Sequence, residues 1–240
     1  MADGAALHRF RILRCVMPTT LRHYAKLFLP SIAQTLRRRA ETPSAQDLDI
    51  YWDADFADEL ETWGRNTVWL EVDLLFAGLE GKVLDIACGT GQAMTVLRRN
   101  RNLDVYGVDI SERLIERAVS KAIPASRLRV ADATVRSYAE NEFDYSYSIG
   151  SIEHFTEAGI HGVLANAAYY TRRYSFHMLP VNRDGLDKGW EKTKQSYFNN
   201  SIEWWQSMFK PHFAEVTVIG SSWAGLDQIG KWFICGKEPS

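Results

Sequence analysis

The sequence predicts a doubly wound α/β fold on three observations. Short apolar strands alternate with helical stretches from about residue 80 onward, acids stand at the ends of three successive strands, and two apolar runs close the chain with no room for a helix between them. Such alternation makes βαβ units, which need a mostly parallel sheet covered on both faces. With 240 residues, 46% hydrophobic and 24% charged, the chain can bury the core such a sheet requires.

Residues 1–47 read as a basic helical extension. Over the first forty, Arg9, Arg11, Arg14, Arg22, Lys26, Arg37, Arg38 and Arg39 face one acid, Asp3. Leu21, Tyr24, Phe28, Ile32 and Leu36 recur at helical spacing, with Pro30 kinking or splitting the helix. The stretch is too charged for a signal-peptide core; a transit peptide is the alternative to a helix that packs on the domain. "AETPSAQD" (40–47) is a linker, and the α/β domain takes residues 48–240.

Within that domain the pattern is helical from about 48 through Trp63 to Leu79. Strands follow near 82–87, 103–108, 127–131, 143–149 and 173–179, with helices over 91–100, 111–121 and 153–170 between them. A helix over 201–209 leads into "AEVTVIGSS" (214–222) and "GKWFICGKE" (230–238), which pair as an antiparallel hairpin at one edge.

The net charge of −2 argues against global attraction to nucleic acid or an anionic membrane, and no apolar run reaches the length of a membrane span. Cys15, Cys88 and Cys235 are far apart and lack a CxxC pattern, so neither a disulfide framework nor a zinc cluster is indicated. A reducing cytoplasm is the simplest setting.

The chemistry is carried by "VLDIACGTGQ" (83–92), an apolar strand that meets Asp85 and then two glycines. Gly89 and Gly91 permit positive φ and close approach of backbone to a ligand at the strands' carboxyl ends. A dinucleotide fingerprint needs a third glycine where Met94 stands, and no lysine follows for a phosphate loop. Asp109 ends the second strand, where a carboxylate accepts hydrogen bonds from ribose hydroxyls, and Asp132 ends the third, where it can accept from an adenine amino group. Each acid alone could be a helix cap; three at consecutive strand ends are harder to explain that way.

"VLDIACGTGQ", "VYGVDIS", "VADAT" and "FDYSYSIGSIEHF" resemble, in order and spacing, the motifs of class I S-adenosylmethionine-dependent methyltransferases. The resemblance implies a Rossmann-like, seven-stranded sheet ending in the antiparallel hairpin, and S-adenosylmethionine as cofactor. It implies that Asp85, Ala87, Gly89 and Gly91 form the loop around the cofactor's amino-acid part, Ala87 standing where the family pattern has glycine. By the same resemblance Asp109 holds the ribose, Ile110 packs on the adenine, Asp132 and Ala133 read its edge, and Ile149 lines the floor between cofactor and acceptor. Tyr51, Trp52 and Trp63 fall where the family often places a lid, with core packing as their other reading.

A sulfonium activates its own methyl group, so such an enzyme mainly aligns the reactants, and a hydroxyl or ammonium nucleophile also needs a base. His154 is the first choice, with Glu153 beside it in "SIGSIEHF"; the plainer reading is that both open the next helix. His177 lies near the end of the fifth strand, and the aromatic loop that follows brings Trp190 and Tyr197; Tyr51, His177, Trp190 and Tyr197 are the expected acceptor-binding residues. No metal is expected: the family's E-x-x-E-H set has Gly150 at its first position, leaving Glu153, His154 and His161 or His177 as an incomplete group. The expected function is methylation of a small molecule on oxygen, nitrogen or carbon. The alternatives are an RNA or protein methyltransferase that docks through the basic segment, and a cofactor-binding module without catalysis. The sequence favours no nucleic-acid partner and leaves oligomeric state open.

Overall fold

The computed structural model describes residue 46 and residues 48–237. The basic helical extension over 1–47 therefore lies, Gln46 apart, outside the described residues. The first expected helical stretch divides. A 3₁₀ turn at Asp49–Trp52 precedes α1 (Ala54–Leu60), and α2 (Val68–Phe76) starts afresh after a run of turns. Asp53 caps α1, its Oδ1 accepting from the N–H groups of Asp55 at 2.7 Å and Phe56 at 3.1 Å. The break falls where Asn66 takes a positive φ of 66°, which no α-helix accommodates.

Strands and helices then alternate as expected: β1 (Gly81–Ile86), α3 (Gln92–Leu97), β2 (Leu103–Asp109), α4 (Glu112–Ser120), β3 (Leu128–Val130), β4 (Phe143–Ile149), α5 (Glu157–Tyr170) and β5 (Thr171–Asn182). The long aromatic loop contains an unexpected hairpin, β6 (Trp190–Lys192) and β7 (Ser196–Phe198). After α6 (Ile202–Phe209) the chain closes with β8 (Glu215–Ala224) and β9 (Gln228–Gly236). The seven-stranded sheet runs β3-β2-β1-β4-β5-β9-β8. β9 lies antiparallel between β5 and the edge strand β8, so the terminal hairpin sits at one edge as expected. No helix among the described residues is long and apolar enough to cross a membrane.

Each face of the sheet carries its own core. Val68, Val72 and Phe76 of α2, Met94 and Leu97 of α3, and Ile115 and Ala118 of α4 pack on one face with Val83, Tyr145 and Met178. Leu164 and Ala167 of α5 and Trp205 and Phe209 of α6 pack on the other with Leu84, Leu179 and Phe233. The second face also buries a polar chain. Ser146 Oγ lies 2.6 Å from both Thr171 Oγ1 and Ser175 Oγ; Ser175 Oγ is 2.8 Å from His177 Nε2, and His177 Nδ1 is 2.8 Å from Ser148 Oγ. Every member satisfies another, which is what burial of hydroxyls demands.

Candidate active site

A cleft of roughly 360 Å³ opens at the carboxyl ends of the parallel strands, where the order reverses about β1. That is where doubly wound sheets bind ligands, and the volume suits a small-molecule site.

One half forms over β1, β2 and β3. Past β1 the chain turns sharply, with Ala87 at φ 58°, Gly89 at 54° and Gly91 at 73°. Gly89 N–H donates to Asp109 Oδ2 at 2.8 Å and Ser111 N–H donates to Oδ1 at 2.9 Å, which locks the loop to the end of β2. Burial pushes the Asp109 carboxyl up to about 6, against the pull of those N–H donors. Asp85 lies beneath the loop and accepts from Tyr147 Oη at 2.8 Å. Burial, with Asp109 nearby, holds Asp85 well above the usual carboxylate range. Asp132 Oδ1 caps its own turn, accepting from Thr134 N–H and Oγ1 at 2.8 Å each. Where a dinucleotide fold would have its third glycine, Met94 is fully buried, and a Cβ on Gly107 of β2 would lie 2.6 Å from its Sδ. Helix and strand thus close up around a methionine.

The other half lies over β4, β5 and the start of β9. A 3₁₀ turn at Ile152–His154 sets Glu153 and His154 into the cleft. His154 Nδ1 is 2.8 Å from the carbonyl oxygen of Ser196, so it carries the proton, and Nε2 keeps its lone pair 3.7 Å from Glu153 Oε1. Burial raises Glu153 to about 8 and lowers His154 to about 4. Near neutral pH the contact is therefore between neutral groups rather than an ion pair. Glu153 Oε2 is buried with no hydrogen-bond partner among the described residues. Trp63 and Trp223, ring centroids 5.7 Å apart, join Tyr51 and Tyr197 as aromatic walls.

The segment from Tyr51 to Trp63, which lines the cleft through Tyr51, Phe56, Leu60 and Trp63, is tied on both flanks. Toward α4, Ser111 Oγ donates to Tyr51 O at 2.7 Å while accepting the Leu114 N–H, so one hydroxyl caps the helix and holds this segment. Arg113 donates to Trp52 O at 2.8 Å, Arg117 pairs with Asp58, and Lys121 pairs with Glu61, which Gln92 also meets. Toward the β6–β7 hairpin, Lys194 pairs with Glu59 at 2.7 Å and Gln195 Nε2 donates to Tyr51 Oη at 2.6 Å.

Of the catalytic, cofactor-binding and acceptor-binding residues expected from sequence, Tyr51, Asp85, Ala87, Gly89, Asp109, Ile110, Asp132, Ala133, Ile149, Glu153, His154 and Tyr197 line this one cleft. Three do not. Gly91 serves packing: a Cβ there would lie 2.5 Å from Ile123 Cδ1. His177 belongs to the buried polar chain and packs against Phe209 and Phe213, with burial lowering its imidazole to about 3. Trp190 packs on Phe198 in the core, rings 4.7 Å apart, because alternation in β6 and β7 sends Tyr197 to the cleft and its neighbours away from it. His161 pairs with His212 at 3.0 Å, so neither it nor His177 joins Glu153 and His154. The sequence reading missed Trp223 and Gln228. Both stand beside the terminal hairpin's turn, and only the return of β9 along β5 brings them to the cleft.

The fold and the motifs are similar to those of class I S-adenosylmethionine-dependent methyltransferases. The family model described as "Methyltransferase domain" matches residues 83–173. Among curated relatives, phosphoethanolamine N-methyltransferase 1 of Triticum aestivum is 35% identical over 101 residues, 41% of this chain and 20% of that one. The 27-O-demethylrifamycin SV methyltransferase of Amycolatopsis mediterranei is 32% identical over 113 residues, 45% of this chain and 41% of that one. This chain thus spans about a fifth of the length of the plant enzyme it matches. A Burkholderia thailandensis 1,6-didemethyltoxoflavin-N1-methyltransferase, solved with that acceptor and S-adenosylhomocysteine, shares the fold at a TM-score of 0.62 and 14% identity, over 84% of this chain and 95% of that one.

Proposed function

We propose that this protein transfers the methyl group of S-adenosylmethionine to a small-molecule acceptor. The observation that carries the reading is a single cleft joining Asp109 and the Gly89 loop at one end to the Glu153–His154 pair at the other. The residues present fit the cofactor. Asp109 keeps lone pairs beyond its two backbone donors for ribose hydroxyls, and Asp132 and Ala133 border the place for an adenine edge. Ile110 supplies an apolar face and the Ala87–Gly89 turn borders the amino-acid part. Bound there, S-adenosylmethionine would supply a methyl group activated by its sulfonium for transfer to the acceptor. His154 Nε2, its lone pair fixed by the Ser196 carbonyl, takes the acceptor's proton. The lid excludes water and aligns the acceptor. Free, buried Cys88 and Cys235 support a reducing, cytoplasmic setting.

Calorimetry with S-adenosylhomocysteine and with NAD tests the cofactor; tighter binding of NAD would sink this assignment. Screening acceptors for S-adenosylhomocysteine release tests the transfer. Turnover confined to RNA or protein, with salt-sensitive binding, would replace the small-molecule reading.

A further inference from the structure

Two buried polar atoms at the acceptor end of the cleft lack partners among the described residues. Glu153 is 3% exposed and its Oε2 meets no hydrogen-bonding group among the described residues; Gln228 is 9% exposed and its Nε2 meets none there either. A buried polar atom left unpaired is costly, and folded proteins rarely carry one without a reason. Both side chains line the same cleft.

The sheet explains how they come together. Glu153 follows β4, and Gln228 begins β9 opposite Asn182 at the end of β5. Since β5 lies between β4 and β9, the two residues flank one strand end, where Pro180 of β5 also lines the cleft. Asp109 and Asp132 lie past β2 and β3, on the other side of β1. The unpaired atoms therefore face the acceptor rather than the cofactor.

Their surroundings limit what fits. Trp63, Trp223, Tyr51 and Tyr197 form flat apolar walls. Trp63 is held close over the backbone at Gly150, where a Cβ would lie 3.0 Å from its Cη2. Of the basic side chains among the described lining residues, Lys194 is paired with Glu59 and His154 is buried and bonded to Ser196. That lining suits a flat, uncharged molecule and offers a phosphate little compensation for its desolvation.

Resting on the methyltransferase reading above, we propose that the acceptor is an uncharged, planar, ring-containing molecule that carries a carbonyl beside the O–H or N–H to be methylated. The O–H or N–H meets Glu153 Oε2 and His154 Nε2, and the carbonyl accepts from the Gln228 amide. The proton lost on methylation passes to His154 Nε2. Gln228 is thus a specificity-determining residue.

The test uses the full chain saturated with S-adenosylhomocysteine and measures binding of salicylamide, hypoxanthine and phosphoethanolamine by calorimetry. Salicylamide or hypoxanthine should bind, and phosphoethanolamine should not. Gln228→Leu should weaken binding of the planar ligand about tenfold, the worth of one lost hydrogen bond, with affinity for S-adenosylhomocysteine unchanged. Gln228→Glu, which keeps shape but replaces the amide donor with a carboxylate, should weaken it similarly and guards against a leucine variant that misfolds. Preference for phosphoethanolamine, failure of both planar probes to bind, or unchanged affinity in both folded variants would overturn the proposal. If S-adenosylhomocysteine itself fails to bind, the methyltransferase reading falls and takes this one with it.

Discussion

His154 Nδ1 lies 2.8 Å from the carbonyl oxygen of Ser196, and that bond decides which ring nitrogen can act. It leaves Nε2 as the basic atom, 3.7 Å from Glu153 Oε1. Burial makes an isolated positive charge on this ring unfavourable, so His154 takes a proton readily only when Glu153 is ionised beside it.

The rate should therefore follow Glu153. With its carboxyl raised to about 8, kcat/KM should climb as pH rises toward 8 and level off above it. His154→Ala should lower kcat by about 10²–10⁴-fold, and Glu153→Gln should abolish the climb. A profile already level from about pH 6 in the parent would remove Glu153 from the proton path.

The same shift has a cost in stability. Folded Glu153 keeps its proton to about pH 8, whereas the unfolded chain releases it near the ordinary 4.5. Between those values the folded state binds more protons, so this contribution is complete below 4.5 and lost as pH rises through about 8. Glu153→Gln should melt higher than the parent above pH 8 and close to it near 4.5, while turning over more slowly. Equal melting temperatures at both ends would show that the folded carboxyl titrates normally.

Asp109→Ala should weaken cofactor binding by about 1–3 kcal/mol, through unpaired ribose hydroxyls and the loss of the acceptor that holds the Gly89 N–H. An unchanged dissociation constant in a folded variant would exclude the carboxylate from the site.

Ser111→Ala removes a helix cap and a lid tie together. It should cost about 1 kcal/mol in stability and raise the acceptor KM, since Tyr51 loses its anchor on α4. A stability loss with KM unchanged would confine Ser111 to capping.

The sheet was legible because its signals are local. Strand patterning marked β4 over residues 143–149, and the absence of a crossover between the last two runs implied the terminal hairpin. The cofactor end was legible for the same reason, since Asp85, Gly89 and Asp109 mark strand ends. The errors at the acceptor end come from side-chain parity. His177 lies in register with Ser148 on the face turned toward α6, whereas Met178 and Pro180, one and three residues further on, point to the other face. Spacing gives the alternation but not which face meets the cleft. Trp190 and Tyr197 separate on the same principle, within a hairpin that no strong strand pattern announced. Gln228 had no local signal, because its role depends on pairing across β5.

The hydroxyl chain from Thr171 to Ser148 also acts as a key for alignment. β4 and β5 are joined side by side through Ser146↔Ser175 and Ser148↔His177. Sliding one strand by a single residue would part Ser146 from Ser175 and leave His177 Nδ1 without Ser148 in a dry interior, with only the Ser175 bond kept. The turn bearing Glu153 and His154 begins just past β4, so the same key fixes how far the proton-handling pair reaches along the sheet, at a distance from any reacting atom.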